Sequence, residues 1–422
     1  MKIVVSFVCG GVLSLALYLL VFDRPVTAPP LEVSQGLAHS YDQLVDSLAQ
    51  AGDFVESHPW YGSEREQAEA YRHIMRTLVA AIEERFMHDP RFPYFRIINP
   101  NNKTGMDNPD QRYLIAILDG SHEYRIWGSR GTSRRLDFVL YEDVTEGRTL
   151  GVLSSDDLLV SGDGGFEVIV SPERQPGNWL RSEAVPGKLI VRQTFSDWAS
   201  EAPGQVHIDR MNMAPGEVPH MNAAVMTQRL QALAAAFGEQ VRHWPEFNRT
   251  VAGRFPENWL SPLRQVGDLG GLPGRLMALG HYNLEQDEAL IITTWPSAAA
   301  YQGLQLGHHW WQSLDYADRQ TSLTTDQARL SSDGAFHFVI AHRDPGVWNW
   351  LDTEGFQRAE MLLRYDGLHP PEIPDEQIPR VEKVPLTELF DHLPKDEPRV
   401  SPEQRAEQIA IRRQHVQRRY GN

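Results

Sequence analysis

Apolar residues recur along this chain at two spacings. Between residues 38 and 56, Tyr41, Leu44, Val45 and Leu48 fall at mixed helical intervals, and Ser63 with Glu66 carries the reciprocal capping signature of a helix start. Behind it Ala70, Ile74, Leu78, Ala81, Ile82 and Phe86 mark one face of an amphipathic helix. The spacing then changes. Residues 113–118, 124–127 and 136–141 are short apolar runs broken by Asp119-Gly120, Gly128 and Gly131, which predicts strands. Residues 221–237 return to a helical pattern rich in Ala and Leu, with neither Gly nor Pro. Strands resume at 289–294 and 301–306. Ser401-Pro402-Glu403-Gln404 opens a final helix, with Ser as cap and Pro in the first position. Arg412, Arg413, Arg418 and Arg419 make its end basic. Such an end is either a solvated face that complements the helix dipole or a phospholipid or partner site.

Within this pattern two stretches are near copies. One runs Asp163-Gly164-Gly165-Phe166, Arg174, Pro176-Gly177, Asn178-Trp179-Leu180 and then Arg192. The other runs Asp333-Gly334-Ala335-Phe336, Arg343, Pro345-Gly346, Asn349-Trp350-Leu351 and then Arg364. Asp-Gly before an aromatic and β-branched run is a turn followed by a strand. Pro-Gly breaks the strand into a loop, and Asn-Trp-Leu returns the chain to the core. The Asp residues are 170 positions apart (163 to 333), far beyond the roughly 20–50 residues of a solenoid repeat. Two fused or facing β units, shaping one shared interior, fit better.

Residues 3–22 form an uncharged run of 20, preceded by Lys2 and followed by Asp23-Arg24-Pro25, long enough to cross a bilayer. The expectation is a transmembrane signal anchor and linker over 1–30, against a cleaved signal peptide. The bilayer is then a partner, and the remainder lies on the extracytoplasmic side, periplasmic if bacterial. The single Cys, Cys9, sits in that leader, so the rest of the 422-residue chain offers no thiol chemistry. Lys and Arg total 40 against 56 Asp and Glu, a net −16, which argues against nucleic acid as a partner. Oligomeric state is not legible.

The run Trp310-Trp311, Ser313-Leu314-Asp315-Tyr316, Asp333-Gly334, Phe336, Ala341-His342-Arg343-Asp344-Pro345-Gly346 and Asn349-Trp350-Leu351-Asp352-Thr353 resembles the domain of unknown function numbered 1214. The resemblance covers residues 280–365. It implies an all-β, jelly-roll-like domain and transfers no catalytic residue. Asp107-Asn108-Pro109-Asp110 and Val191-Arg192-Gln193 look like the first part of longer members. The expected fold is therefore α+β, mainly β. Two jelly-roll-like β-sandwich units at 93–200 and 281–366 carry flanking helices, behind one N-terminal transmembrane helix. A helical segment fills 31–92, a helical or irregular connector 201–280, and a Pro-rich tail with a C-terminal helix 367–422.

Candidate chemistry clusters on the repeats. His342 and Asp344 in one loop could perform acid–base work while Arg343 holds an anion. The bland reading is a turn locked by Asp344 and Arg343. Arg192 and Arg364 end matching strands and either bind a ligand's anionic or hydroxyl groups or pair with a nearby acid. Asn178 and Asn349 either read a ligand hydroxyl or cap the local backbone. Trp179 and Trp350 are stacking platforms or core plugs, and Asp107 with Asn108 is a binding loop or linked turns. His308-His309-Trp310-Trp311 has the look of a metal or sugar box, but adjacent histidines on a strand point apart. No metal and no cofactor are expected, since phosphate loops, nucleophile elbows and paired zinc ligands are missing from the sequence. The functional expectation is a binder of a small hydroxylated or anionic organic ligand in a β-domain cleft. The alternatives are an enzyme using His342 and a scaffold without a small-molecule site.

Overall fold

A computed structural model of the chain describes residues 35–143, 147–213, 221–267, 272 and 274–421. The first β unit contains β1 (Arg96–Ile98), β2 (Gln111–Asp119), β3 (Tyr124–Ser129), β4 (Arg135–Glu142), β5 (Thr149–Leu153), β6 (Gly165–Ser171), β7 (Trp179–Arg181), β8 (Pro186–Thr194) and β9 (Val206–Arg210). A larger sheet in the order β1-β2-β8-β4-β5 faces a smaller one in the order β7-β6-β3-β9. Strand alternation explains the sandwich. Leu136, Phe138 and Leu140 of β4 point to one side with Leu189 and Val191 of β8, and Ile126, Val168 and Val170 meet them from the smaller sheet.

The second unit contains β10 (Trp259–Leu260), β11 (Arg264–Gln265), β12 (Leu276–Asn283), β13 (Glu288–Thr294), β14 (Tyr301–His308), β15 (Gln312–Ser313), β16 (Ser322–Thr324), β17 (Phe336–Ala341), β18 (Trp350–Asp352), β19 (Arg358–Asp366) and β20 (Arg380–Pro385). Its larger sheet is β10-β12-β19-β14-β15, with β11 and β16 attached, and its smaller sheet is β18-β17-β13-β20. This unit reaches beyond 281–366 on both sides. The strand β20 lies in the Pro-rich tail; its alternating charges suit a sheet edge.

The repeat is a structural duplication in identical register. Ile169 lies opposite Trp179 in the parallel pair β6–β7, as Val339 lies opposite Trp350 in β17–β18. Gly164 and Gly334 turn the chain at φ +85 and +78, which only glycine adopts without strain. Each indole fastens its own strand: Trp179 Nε1 donates to Ser171 O at 3.2 Å and Trp350 Nε1 to Ala341 O at 3.0 Å. The neighbouring leucines, Leu180 and Leu351, are what enter the cores.

Helices α1 (Gln35–Glu56), α2 (Glu64–Ala81) and α3 (Ala223–Ala252) pack together through Val55, Ile74, Phe237 and Val241, with Trp310 inserted from the second unit. The capping box of Ser63 and Glu66 is formed. Helix α4 (Pro402–Tyr420) starts at the Ser401–Gln404 box. Its basic end is divided: Arg413 and Arg418 are exposed, while Arg412 and Arg419 are buried against Trp198, each guanidinium 4.5 Å from the ring.

The membrane expectation is corrected. Residues 3–22 lie outside the described residues, and among the described residues no helix is long and apolar enough to cross a membrane. The helices that are described carry charged faces for water and apolar faces for each other. The signal anchor, the bilayer as partner and the extracytoplasmic placement drawn from them are withdrawn.

Candidate functional site: an arginine junction between the two units

The inner faces of the larger sheets are spent on the two cores, so their outer faces decide what else the chain does. On β8, Leu189 and Val191 face inward, which turns Arg192 outward. On β19, Met361, Leu363 and Tyr365 face inward, which turns Arg364 outward. These outer faces meet, with residues 106–111 wedged between them. Arg192 and Arg364 are thereby sealed at 5% and 4% exposure.

Tyr113 of β2 stands at the centre. The Arg192 guanidinium lies 5.7 Å from its ring and 5.9 Å from that of Tyr141, whose hydroxyl is 3.4 Å from Arg192 Nη2. Arg364 donates from Nη1 to Gln305 Oε1 and from Nη2 to Met106 O at 3.1 Å. Burial holds the Arg364 guanidinium below its usual pKa, and the neighbouring Arg275 pushes the same way. Arg275 is neutralised by Asp366 through two bonds of 2.7 and 2.8 Å. Among the described residues neither Arg192 nor Arg364 has a carboxylate at ion-pair distance. Arg192 Nε and Nη1 and Arg364 Nε have no partner at all.

The wedge is held under strain. Met106 and Trp311 adopt φ +50 and +59, where bulky side chains are rarely found, and Met106 N–H donates to Trp311 O at 2.6 Å. Asp107 accepts from Ser313 N–H at 3.1 Å and its hydroxyl at 2.9 Å. Asn108 N–H donates to Tyr113 Oη at 3.0 Å, and Asn108 Nδ2 to Tyr301 Oη at 3.1 Å. Tyr301 O–H donates to Asp110 Oδ2 at 2.7 Å, while Asp110 Oδ1 is sealed without a partner. Burial raises the Asp110 carboxyl, and the Tyr301 hydroxyl with Arg419, Arg412 and Arg364 pulls it back. Arg419 of α4 closes the far side, donating from Nη1 to Pro109 O at 2.6 Å.

Four residues singled out from sequence, Asp107, Asn108, Arg192 and Arg364, are thus brought together. The others are not. His342 uses both ring nitrogens locally: Nε2–H donates to Leu284 O at 2.9 Å and the Thr353 hydroxyl donates to Nδ1 at 2.7 Å. Asp344 accepts from Gly346 N–H and is paired with Arg405 of α4 at 2.9 Å, and Arg343 is exposed. Asn178 and Asn349 clasp the preceding loop, each bonding both N–H and C=O of one residue, Leu159 and Arg329. A surface hollow of about 510 Å³ over the first repeat touches Trp127, Leu159, Asp163 and Asn178, but the amide of Asn178 is already committed there. His342→Ala is expected to cost about 1–2 kcal/mol in urea unfolding, because it orphans the Leu284 carbonyl. It should leave any ligand binding at the junction unchanged.

Tyr113, Tyr301 and Gln305 were not singled out as site residues; Asp110 entered only as the end of the Asp107-Asn108-Pro109-Asp110 run, and Arg419 only as part of the basic end of the last helix. The His308-His309 pair points apart, His308 Nε2 to within 3.6 Å of Glu69 and His309 Nδ1 to 2.9 Å from Glu360. Among the described residues no group of three or more His, Cys, Asp or Glu is placed to hold a metal ion.

No family model matches the chain, and no curated protein matches it. Among solved structures, an uncharacterized protein from Burkholderia cenocepacia is 27% identical with a TM-score of 0.78, over 84% of this chain and 99% of that one. A protein from Vibrio parahaemolyticus is 13% identical with a TM-score of 0.44, over 82% of this chain and 99% of that one. The first of these likenesses shows a fold that the Burkholderia cenocepacia protein shares along nearly its whole length.

Proposed function

We propose that the chain binds a small anionic or hydroxylated organic ligand, and that the site is the junction between the two units rather than a cleft within one. One observation carries this reading. Arg192 and Arg364, one from each unit, are buried where the outer faces meet, Arg192 beside Tyr113 and Arg364 on Met106 O, without a carboxylate at ion-pair distance from either. A buried charge without a partner costs several kcal/mol, and an anionic or acceptor-bearing ligand would remove that cost. Strain at Met106 and Trp311 next to the same site supports it, since strained backbone gathers at ligand clamps. The enzymatic alternative loses its acid–base group, because His342 has no nitrogen left to offer. The resemblance of residues 280–365 to the domain of unknown function numbered 1214 is part of the proposal and adds no activity to it.

The test is a thermal-shift screen of small organic acids and polyols on the full chain. A ligand present at a hundred times its Kd is expected to stabilise the protein by about 2.7 kcal/mol. Arg192→Gln and Arg364→Gln should each abolish that shift. If no compound of either class raises Tm, the scaffold reading replaces this one.

A further inference from the structure

The sealed polar atoms of the junction are unequal in kind. Arg192 Nε and Nη1, Arg364 Nε, and Arg419 Nε and Nη2 are donors without a partner. Against these five nitrogens stand two unpartnered acceptors, Asp110 Oδ1 and Gln111 Oε1. A polyol hydroxyl accepts but also brings a proton that needs an acceptor of its own, and it carries no charge to set against the guanidinium groups. Carboxylate and phosphate oxygens only accept, and guanidinium forks match their planar geometry.

The charges agree with the donor count. Arg275 is matched by Asp366, and Arg135 by Asp137 and Asp156. Arg192, Arg364, Arg412 and Arg419 remain against Asp107 and Asp110, and Arg364, Arg412 and Arg419 all act on Asp110. The arginines come from three places in the chain: β8, β19 and α4.

Resting on the binding reading above, we infer that the ligand is a compact polyanion, with two or more carboxylate or phosphate groups, and that α4 is the third wall of its site. Arg192 takes one anionic group beside Tyr113 and Tyr141. Arg364 and Arg419 take the other across Asn108 and Asp110. Because α4 lies over the wedge, docking of that helix and retention of the ligand support one another.

Isothermal titration and thermal shift on the full chain, with citrate, inorganic phosphate and sorbitol as probes, test this. Citrate is expected to bind and to raise Tm, with phosphate weaker and sorbitol inert. Arg192→Gln and Arg419→Gln should each weaken citrate about tenfold or more, the scale of one charge-assisted contact. Arg125→Gln, on the exposed face of β3, should leave it unchanged. Arg192→Lys serves if Arg192→Gln fails to fold, and the lost fork should weaken citrate in that variant too. Binding of sorbitol in place of citrate, abolished by Arg192→Gln, overturns the polyanion while the junction stands. Citrate binding that survives Arg419→Gln but not Arg192→Gln overturns the third wall alone. Equal behaviour of wild type and Arg192→Gln, or no binding by any probe, overturns both readings and leaves the junction to buried water.

Discussion

Arg412→Ala is expected to destabilise the chain by about 3–5 kcal/mol, because it removes a fully buried tie between the C-terminal helix and the sandwiches. Arg412 donates to Tyr316 O at 3.0 Å, to Ser322 O at 2.9 Å and to the Ser322 hydroxyl at 2.8 Å, and its guanidinium lies 4.5 Å from the Trp198 ring. Burial pushes its pKa down to about 10, so it stays charged at neutral pH and its bonds are charge-assisted. Truncation to Ala leaves two carbonyls without donors and a hole the size of a guanidinium. Trp198 belongs to the segment that follows β8, and Tyr316 and Ser322 to the second unit, so the loss should uncouple the two units. Urea unfolding followed by tryptophan fluorescence and by far-ultraviolet circular dichroism reads this. The two curves should coincide in the wild type and separate in the variant. Arg413→Ala is the control: Arg413 is exposed and pairs with Asp318 at the surface, so it should cost less than about 0.5 kcal/mol. A similar cost for both variants would show that α4 adds nothing beyond surface charge.

Glu84→Gln should be comparably damaging at the other end of the molecule. Glu84 lies in the wide turn Ile82–Met87 that extends α2, sealed between Arg96 of β1 at 2.9 Å and Lys188 of β8 at 2.8 Å. Burial alone would raise its carboxyl. Lys188 and Arg96 outweigh burial and hold it at about 2, below the usual 4.5. A depressed folded-state value stabilises the native chain at every pH above the unfolded value, by about 3 kcal/mol for a shift of this size. That stability is lost as pH falls from 4.5 towards 2. The neutral amide leaves half-buried Lys188 without its acid and buried Arg96 with Glu83 alone, at 2.6 Å, so the loss near pH 7 should be about 3 kcal/mol. It should also flatten the fall in stability between pH 4.5 and 2, measured by urea unfolding at several pH values. An unchanged slope would mean that other carboxylates govern acid unfolding.

What could be seen in the sequence was local. The turn at Asp163-Gly164 and its twin at Asp333-Gly334, the capping boxes at Ser63 and Ser401, and the strands around Tyr113 and Leu136 rest on neighbours within a few residues, and all are formed. The end of α3 was hidden by Gly238 and Pro245, which signal a stop. The helix continues to Ala252 because Trp244 and Phe247 pack on Trp311 and Leu362. Strand β20 was hidden by its charges. Arg192 and Arg364 were visible as matching strand ends, but their meeting depends on which sheet faces come together, and no spacing along the chain encodes that. Arg412 and Arg419 were least legible, since a row of arginines on a weakly apolar helix reads as a wet surface. The leader at residues 3–22 read as a bilayer span, and that expectation is withdrawn.

The placement of α4 fixes an order of events during synthesis. Both sandwiches leave the ribosome before the helix that spans them has been translated, and domains made first fold first. Until residues 402–420 emerge, Trp198, the backbone around Pro109 and the outer ends of both units stay wet. A nascent chain stalled before Ser401 would therefore carry two finished halves that have not yet been joined, with its arginine junction still open to solvent.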